Sequence, residues 1–315
     1  MASLLDTVLF VFGLVGLGTI AAGSGYLSAK VGEGLTEFAV GVALPLLLFR
    51  TMVSADFGEG VPWAFWAAYF TAVAVAWTVG HLITTRLFGQ SSAAGVVGGV
   101  SAAFSNLLLL GIPFIGGVLG QQAFEALSLI LAIHLPIMLF ASVILFQLFG
   151  RGEGKVSVAT ALRQFFGRLA RNPLIVGIAL GTLWRVSGLP LPGFLDRLVG
   201  ALAGIAGPVA LFAVGFSLVR YGILGNLRHA ALLAAVKLVL MPAVALAAAL
   251  LFGLPPLLVK VVVCAAGLPA GVNSYLIATQ FGTGQGLASN AMTLSTALAV
   301  LSTSFWLLVL QHVVG

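Results

Sequence analysis

From Phe124 to Phe149 the chain carries one charged residue, Glu125, and from Trp63 to Thr85 it carries none. Apolar runs of this length constrain the fold more than any other feature, because about twenty such residues cross a bilayer as one helix. A backbone in lipid must bond its own polar groups, so each crossing has to be helical. Runs of this kind recur from end to end: Leu5 to Ala29, Leu35 to Val53, Trp63 to Phe88, Ala93 to Leu119, Phe124 to Phe149, Asn172 to Val186, Phe194 to Val219, Ala230 to Phe252, Pro256 to Gln280 and Leu287 to His312. The pattern predicts an all-α integral membrane protein of about ten transmembrane helices. Only 7% of the 315 residues are charged and 61% are hydrophobic. A soluble domain of this size would not stay dispersed with so few charges, and no length is left for a second domain.

Lys and Arg number 14 against 8 Asp and Glu, a net charge of +6. The basic residues cluster between apolar runs, which is a topology signal and not one for nucleic acid. The longest polar connection, 151–171, holds Arg151, Lys155, Arg163, Arg168 and Arg171 against Glu153. The positive-inside rule places it in the cytoplasm with Lys30, Arg86, Arg220 and Arg228. An even number of spans then puts both termini outside, in a multi-pass protein of the inner, cytoplasmic membrane. The first run lacks a basic start, carries Asp6 and is longer than a signal core, so it is expected to stay as the first span. The single cysteine, Cys264, excludes an internal disulfide or a cysteine-based metal cluster, and neither metal nor cofactor is expected.

The ninth run contains Gly267-Leu268-Pro269-Ala270-Gly271-Val272-Asn273. Proline removes a backbone donor and the glycines weaken the helix, so a break at half-depth is predicted. Inside a membrane a broken helix survives where it is buried in protein or lines a cavity. The sequence also hints at internal duplication. Pro45-Leu46-Leu47-Leu48-Phe49 matches Pro208-Val209-Ala210-Leu211-Phe212 as P-x-x-L-F, an offset of 163 that sets Asn106 opposite Pro269. A rival match of Gly111-Ile112-Pro113 with Gly267-Leu268-Pro269 gives 156. The larger offset pairs the fourth run with the ninth end to end, and the expected organisation is a first five-helix repeat at 1–150, the basic loop at 151–171, and a second repeat at 172–315. Breaks are expected at Gly111 and Pro113 in the fourth run and at Gly267 and Gly271 in the ninth.

Two interrupted helices meeting at mid-membrane would aim half-helix N-termini, with their partial positive charge, at a carboxylate. Asn106, with Ser105 before it, offers an amide there, and Pro269, Ala270, Val272 and Asn273 line the other break. The alternative is that Asn106 only bonds a neighbouring helix and Pro269 only kinks one. Arg50 could meet an anion or snorkel to the headgroups. His134 could bond substrate, take up a proton, or simply pack. Lys237, in the middle of the eighth run, reads foremost as a partner for broken-helix carbonyls, with a proton-coupling role as the alternative. No pair of acidic residues lies deep in any run and no HExxH motif is present, so a carboxylate-type cation antiporter and an intramembrane protease are both disfavoured.

The run Pro45 to Phe49, Asn106 with Gly111-Ile112-Pro113, Arg171-Asn172-Pro173 and Leu268-Pro269-Ala270-Gly271-Val272 together resemble the auxin efflux carrier family over essentially the whole chain. The resemblance implies a non-enzymatic transporter with two inverted five-helix repeats, akin to bile-acid symporters. In it, spans one, two, six and seven form a scaffold, and spans three to five and eight to ten form a transport domain with broken, crossing helices four and nine. It further implies an elevator-type carrier of a small organic anion such as malate, malonate or an auxin-like carboxylate, working in membrane lipid, commonly as a homodimer. Asn106, Pro269 and Val272 carry over as substrate-binding positions, and His134 and Leu48 occupy positions that face substrate. Ser105 before Asn106 and Leu174 after Arg171-Asn172-Pro173 depart from the plant carriers and weigh against auxin itself, and the short central loop fits a bacterial-type member. Two rivals stay open at this stage: a sodium-coupled symporter of the bile-acid type, and a membrane receptor that binds the anion without moving it.

Overall fold

The computed structural model describes residues 2–54, 63–149, 167, 170–221 and 227–315. Most of the basic connection, including Arg151, Lys155, Arg163 and Arg168, lies outside the described residues. Apart from one isolated antiparallel bridge between Ser105 and Ala270, the regular structure described is helical. In chain order the helices are α1 (Ala2–Gly23), α2 (Ala29–Ser54), α3 (Trp63–Leu87), α4 (Ser92–Ala103), α5 (Leu107–Leu119), α6 (Gln121–Phe149), α7 (Pro173–Val186), α8 (Gly193–Gly204), α9 (Ala206–Tyr221), α10 (Leu227–Leu251), α11 (Pro256–Gly267), α12 (Val272–Gln280) and α13 (Gln285–Val313).

Seven stretches among the described residues are long and apolar enough to cross a membrane: α1, α2, α3, α6, the α8–α9 pair, α10 and α13. The protein is therefore an all-α, multi-pass membrane protein. The other three predicted spans are helical but not continuous crossings of full length. The fourth is divided into α4 and α5, the ninth into α11 and α12, and the sixth is the 14-residue α7. At 1.5 Å per residue α7 is about 21 Å long, short of a hydrocarbon core of about 30 Å.

Proline explains most of the irregular turns. Pro208 cannot donate to Gly204, and α8 stops at that glycine before α9 resumes. A wider π-turn at Ala39–Ala43 precedes Pro45 in α2, and another at Val236–Leu240 precedes Pro242 in α10. Because Pro242 has no N–H, the Leu238 carbonyl loses its helical donor. It accepts instead from Ser302 Oγ and Trp306 Nε1, each at 2.8 Å.

The chain gathers into two compact units. Among described residues, the first combines α1, α2, residues 108–133 and α7 to α9, and the second combines α3, α4, the end of α6 from His134, and α10 to α13. In the first unit, backbones approach closely at glycines. A side chain at Gly18 would overlap the Phe212 carbonyl, one at Gly215 the Val15 carbonyl, and Gly177 and Gly181 of α7 stand against the carbonyls of Pro45 and Phe49 in α2. Thr19 Oγ1 ties the α1–α9 contact, donating towards the Val15 and Gly215 oxygens at 3.0 and 3.1 Å. In the second unit α3 packs on α4 through Gly80, Gly98 and Gly99, and α10 packs on α3, α11 and α13. Its core is built from small and β-branched residues, among them Val96, Val97, Val259, Val261, Val262 and Ala265. Dispersion over such close contacts is what holds helices together where lipid is as apolar as the side chains.

Candidate functional site

Two interruptions meet inside the second unit. Helix α4 ends at Ala103, Phe104 is extended with φ −80° and ψ 97°, and the helix restarts at Leu107. Helix α11 ends at Gly267, Leu268 and Gly271 are extended, and α12 starts at Val272. The freed backbone groups satisfy one another as a short antiparallel pair. Asn106 N donates to Pro269 O at 2.9 Å and Gly271 N to Phe104 O at 2.9 Å. Between them, Ala270 N donates to Ser295 Oγ of α13 at 3.0 Å. Irregular backbone at membrane depth is thus kept within protein, as its polar groups require. Gly271 suits this contact: a β-carbon there would stand 3.4 Å from the Asn106 α-carbon, so a larger side chain would press on the pairing.

Gly111 and Pro113, expected as break points, lie in helix instead, and the chain is interrupted five residues earlier at Phe104–Asn106. The physical reason is the π-turn Leu107–Gly111, whose wider winding absorbs the donor that Pro113 lacks. Gly267 and Gly271 flank the non-helical segment of the ninth run.

The C-terminal end of α11 is closed by Lys237. This side chain is fully buried, and its Nζ donates to Ala266 O at 2.5 Å and approaches Met241 Sδ at 3.3 Å. An amine donor at the carbonyl end of a half-helix meets its hydrogen-bonding requirement, which is the partner role read from the sequence. At the opposite end of the break, the first turn of α12 leaves the N–H groups of Val272 and Asn273 without an intrahelical acceptor. Ser274 N and Oγ both donate to Gly271 O, at 3.1 and 2.8 Å.

His134 is buried beside the pairing. Its Nδ1 lies 3.3 Å from the Tyr69 hydroxyl, and the Phe104 ring packs edge-on against the imidazole with centroids 4.8 Å apart. The Ser105 hydroxyl faces Tyr69 without reaching hydrogen-bond geometry, and Ser105 Oγ and His134 Nε2 are buried with no partner among the described residues. Tyr69 and Ser295 escaped the sequence reading. The signal for Tyr69 was a lone phenol in the Ala/Val/Phe-rich third run; Ser295 had none. Leu48 and Arg50 belong to the first unit, where Leu48 is buried and Arg50 Nε binds Asp196 Oδ1 of α8 at 3.1 Å as a half-exposed pair. A cavity of about 310 Å³, lined by Gln90, Ser91, His229, Thr283 and Asn290 among others, shares no lining residue with the breaks.

A family model described as "Membrane transport protein" matches residues 3–307. The chain belongs to this family. Its members are transporters and not enzymes, so the protein is a membrane transporter, in agreement with the auxin efflux carrier resemblance. The transporter is 25% identical to a transporter of Methanothermobacter thermautotrophicus, over 97% of this chain and 98% of the other. It is 28% identical to a protein of Rhizobium meliloti named as a candidate malonate transporter, over 95% and 93% of the two chains. A lysosomal cholesterol signaling protein of Mus musculus is 24% identical over 69% of this transporter, which spans 26% of that longer protein.

Proposed function

We propose that this transporter is a secondary carrier for a small organic anion, with the carboxylate bound where the two interruptions meet. The observation that carries the reading is the backbone pairing of Asn106 with Pro269. It sets the Asn106 residue beside the start of α12, whose first amides have no acceptor within the helix and whose end is partially positive. Asn106 supplies a neutral donor, Val272 and Asn273 supply backbone N–H groups, and Pro269 and Ala270 shape the wall. A carboxylate is the ligand that such donors favour. The Rhizobium relative makes malonate the first anion to try.

Spans three to five and eight to ten act as the moving body and spans one, two, six and seven as the scaffold, in an elevator-type cycle within the inner membrane, with both termini outside. The grouping of α1, α2 and α7 to α9 in one unit and of α3, α4 and α10 to α13 in the other supports this assignment, while residues 108–133 group with the first set; the offset of 163 between halves, which anticipates the Asn106–Pro269 pair, fits an inverted five-plus-five repeat. Scaffold helices of two copies form the homodimer. Arg50 keeps its salt bridge to Asp196, so the carboxylate contacts come from the second unit.

The test is counterflow of labelled malonate in proteoliposomes. The wild-type protein exchanges malonate, and Asn106→Ala raises the half-saturating concentration about 10- to 100-fold, the worth of one hydrogen bond to a charged group. Unchanged exchange and affinity in that variant would remove the proposed site. Binding without counterflow would make the protein a receptor.

A further inference from the structure

The interior of the second unit holds a polar row that the carboxylate site does not use. From the break inward it runs Ser105, Tyr69, His134, and it ends on a ring nitrogen, His134 Nε2, with no partner among the described residues. His134 Nε2 is buried with a lone pair unpaired among the described residues, a basic atom open to a proton; once protonated it becomes an N–H donor that needs an acceptor. We infer that this row binds a proton, accepted at His134 Nε2, which travels with the anion held at Asn106. The inference rests on the anion-carrier reading and adds the coupling ion to it.

The chemistry follows from the groups that face the ring. With the neutral imidazole protonated at Nδ1, that N–H donates to the Tyr69 oxygen, the Tyr69 hydroxyl points towards Ser105, and Nε2 presents a lone pair. Uptake of one proton forms the second N–H bond and leaves a charge of plus one on the ring; release on the other side of the membrane breaks that bond. The charged or titratable groups facing His134 are Tyr69 from α3 and Lys237 from α10. Neither offers a negative charge, and a positive charge on Lys237 opposes proton uptake by the ring, so the counter-charge has to come from a ligand. The described residues of the second unit contain no Asp or Glu at all.

A buried imidazolium without a counter-charge is costly. The negative charge that offsets it is the substrate carboxylate, bound at the residue next to Ser105. Proton and anion therefore raise each other's affinity, and the coupling is reciprocal. The same absence of carboxylates leaves a sodium ion without its usual ligands here.

The experiment uses the full chain in proteoliposomes with labelled malonate, the potential clamped by potassium and valinomycin, and protein-free liposomes as background. Counterflow at equal pH reports carriage of the anion. Accumulation under an inward gradient of one pH unit reports coupling, and one proton per anion gives about tenfold accumulation. His134→Gln, which keeps an amide for Tyr69 but cannot titrate, is expected to exchange more slowly and to lose the pH-driven accumulation. Tyr69→Phe is expected to shift the pH midpoint of exchange. Counterflow in the wild-type protein with no response to the pH gradient would overturn the proton site and leave the carrier standing. Absence of malonate counterflow would overturn the carrier reading, and the proton site with it. Full pH-driven accumulation in His134→Gln would overturn His134 as the acceptor.

Discussion

Lys237 and Leu238 are neighbours with opposite tasks at one kinked turn of α10. Lys237 donates to the Ala266 carbonyl, and the Leu238 carbonyl accepts from Ser302 and Trp306. Lys237→Met keeps the length of the side chain and removes the donor, so the α11 terminus loses its partner in a dry setting. A loss of about 1–3 kcal/mol is expected, seen as a lower melting temperature of the purified protein in detergent. The Leu238 carbonyl has two donors, and either alone satisfies it. Ser302→Ala and Trp306→Phe should therefore each cost less alone than half of their combined cost. A double-mutant cycle on thermal stability checks this, with an expected coupling of about 0.5–2 kcal/mol; strict additivity would mean that only one of the two bonds matters.

At the scale of elements, close approach of backbones decides which helices pair. The glycines at 18 and 215 face each other's helix across the α1–α9 contact, and at each a β-carbon would run into a carbonyl oxygen. Gly215→Val forces these helices apart and forfeits the Thr19 bond, an overpacking cost of about 1–3 kcal/mol in melting experiments. The break in the ninth run responds differently. Gly271 has φ −83°, a region open to any residue, and an added methyl meets ordinary contacts. Gly271→Ala should keep stability within about 0.5 kcal/mol, whereas Gly271→Leu should abolish counterflow by driving a side chain into Asn106 and Phe104. Equal transport by both variants would mean that the pairing of residues 104–106 with 269–271 is not needed for function.

For the whole molecule, what matters is how charge is distributed between the two units. The described part of the first unit holds the acidic residues Asp6, Glu33, Glu37, Glu125 and Asp196, and that of the second holds none. Replacing sodium by choline on both sides should leave malonate counterflow unchanged, measured as initial rate. A rate that falls tenfold or more would favour the sodium-coupled symporter. Glycine serves the same whole: 40 residues, many of them at helix contacts, provide close packing in a lipid setting where hydrophobic burial between helices supplies little drive.

How much was legible in advance depended on the range of the interaction. Membrane class, the positions of the apolar runs, the shortness of the sixth and the break at Gly267–Gly271 are set by hydrophobic length and by proline's missing donor, properties that a local stretch carries with it. The place of the other break was legible only through the offset of 163, which set Asn106 opposite Pro269: Gly111 and Pro113 gave the local signal, but a π-turn took up the proline and the pairing with the ninth run fixed the interruption at Phe104–Asn106. Tyr69 beside His134, Ser295 on Ala270 and Asp196 on Arg50 were out of reach. By itself the sequence determined that helices would cross a membrane, that the fourth and ninth runs would break, and, through the offset of 163, that Asn106 would lie opposite Pro269. Only the tertiary structure decided the exact residues of the fourth-run interruption and the side chains, Ser295 and Tyr69, that complete the junction, because such a partner is chosen by packing across the fold and leaves no trace in the residues on either side.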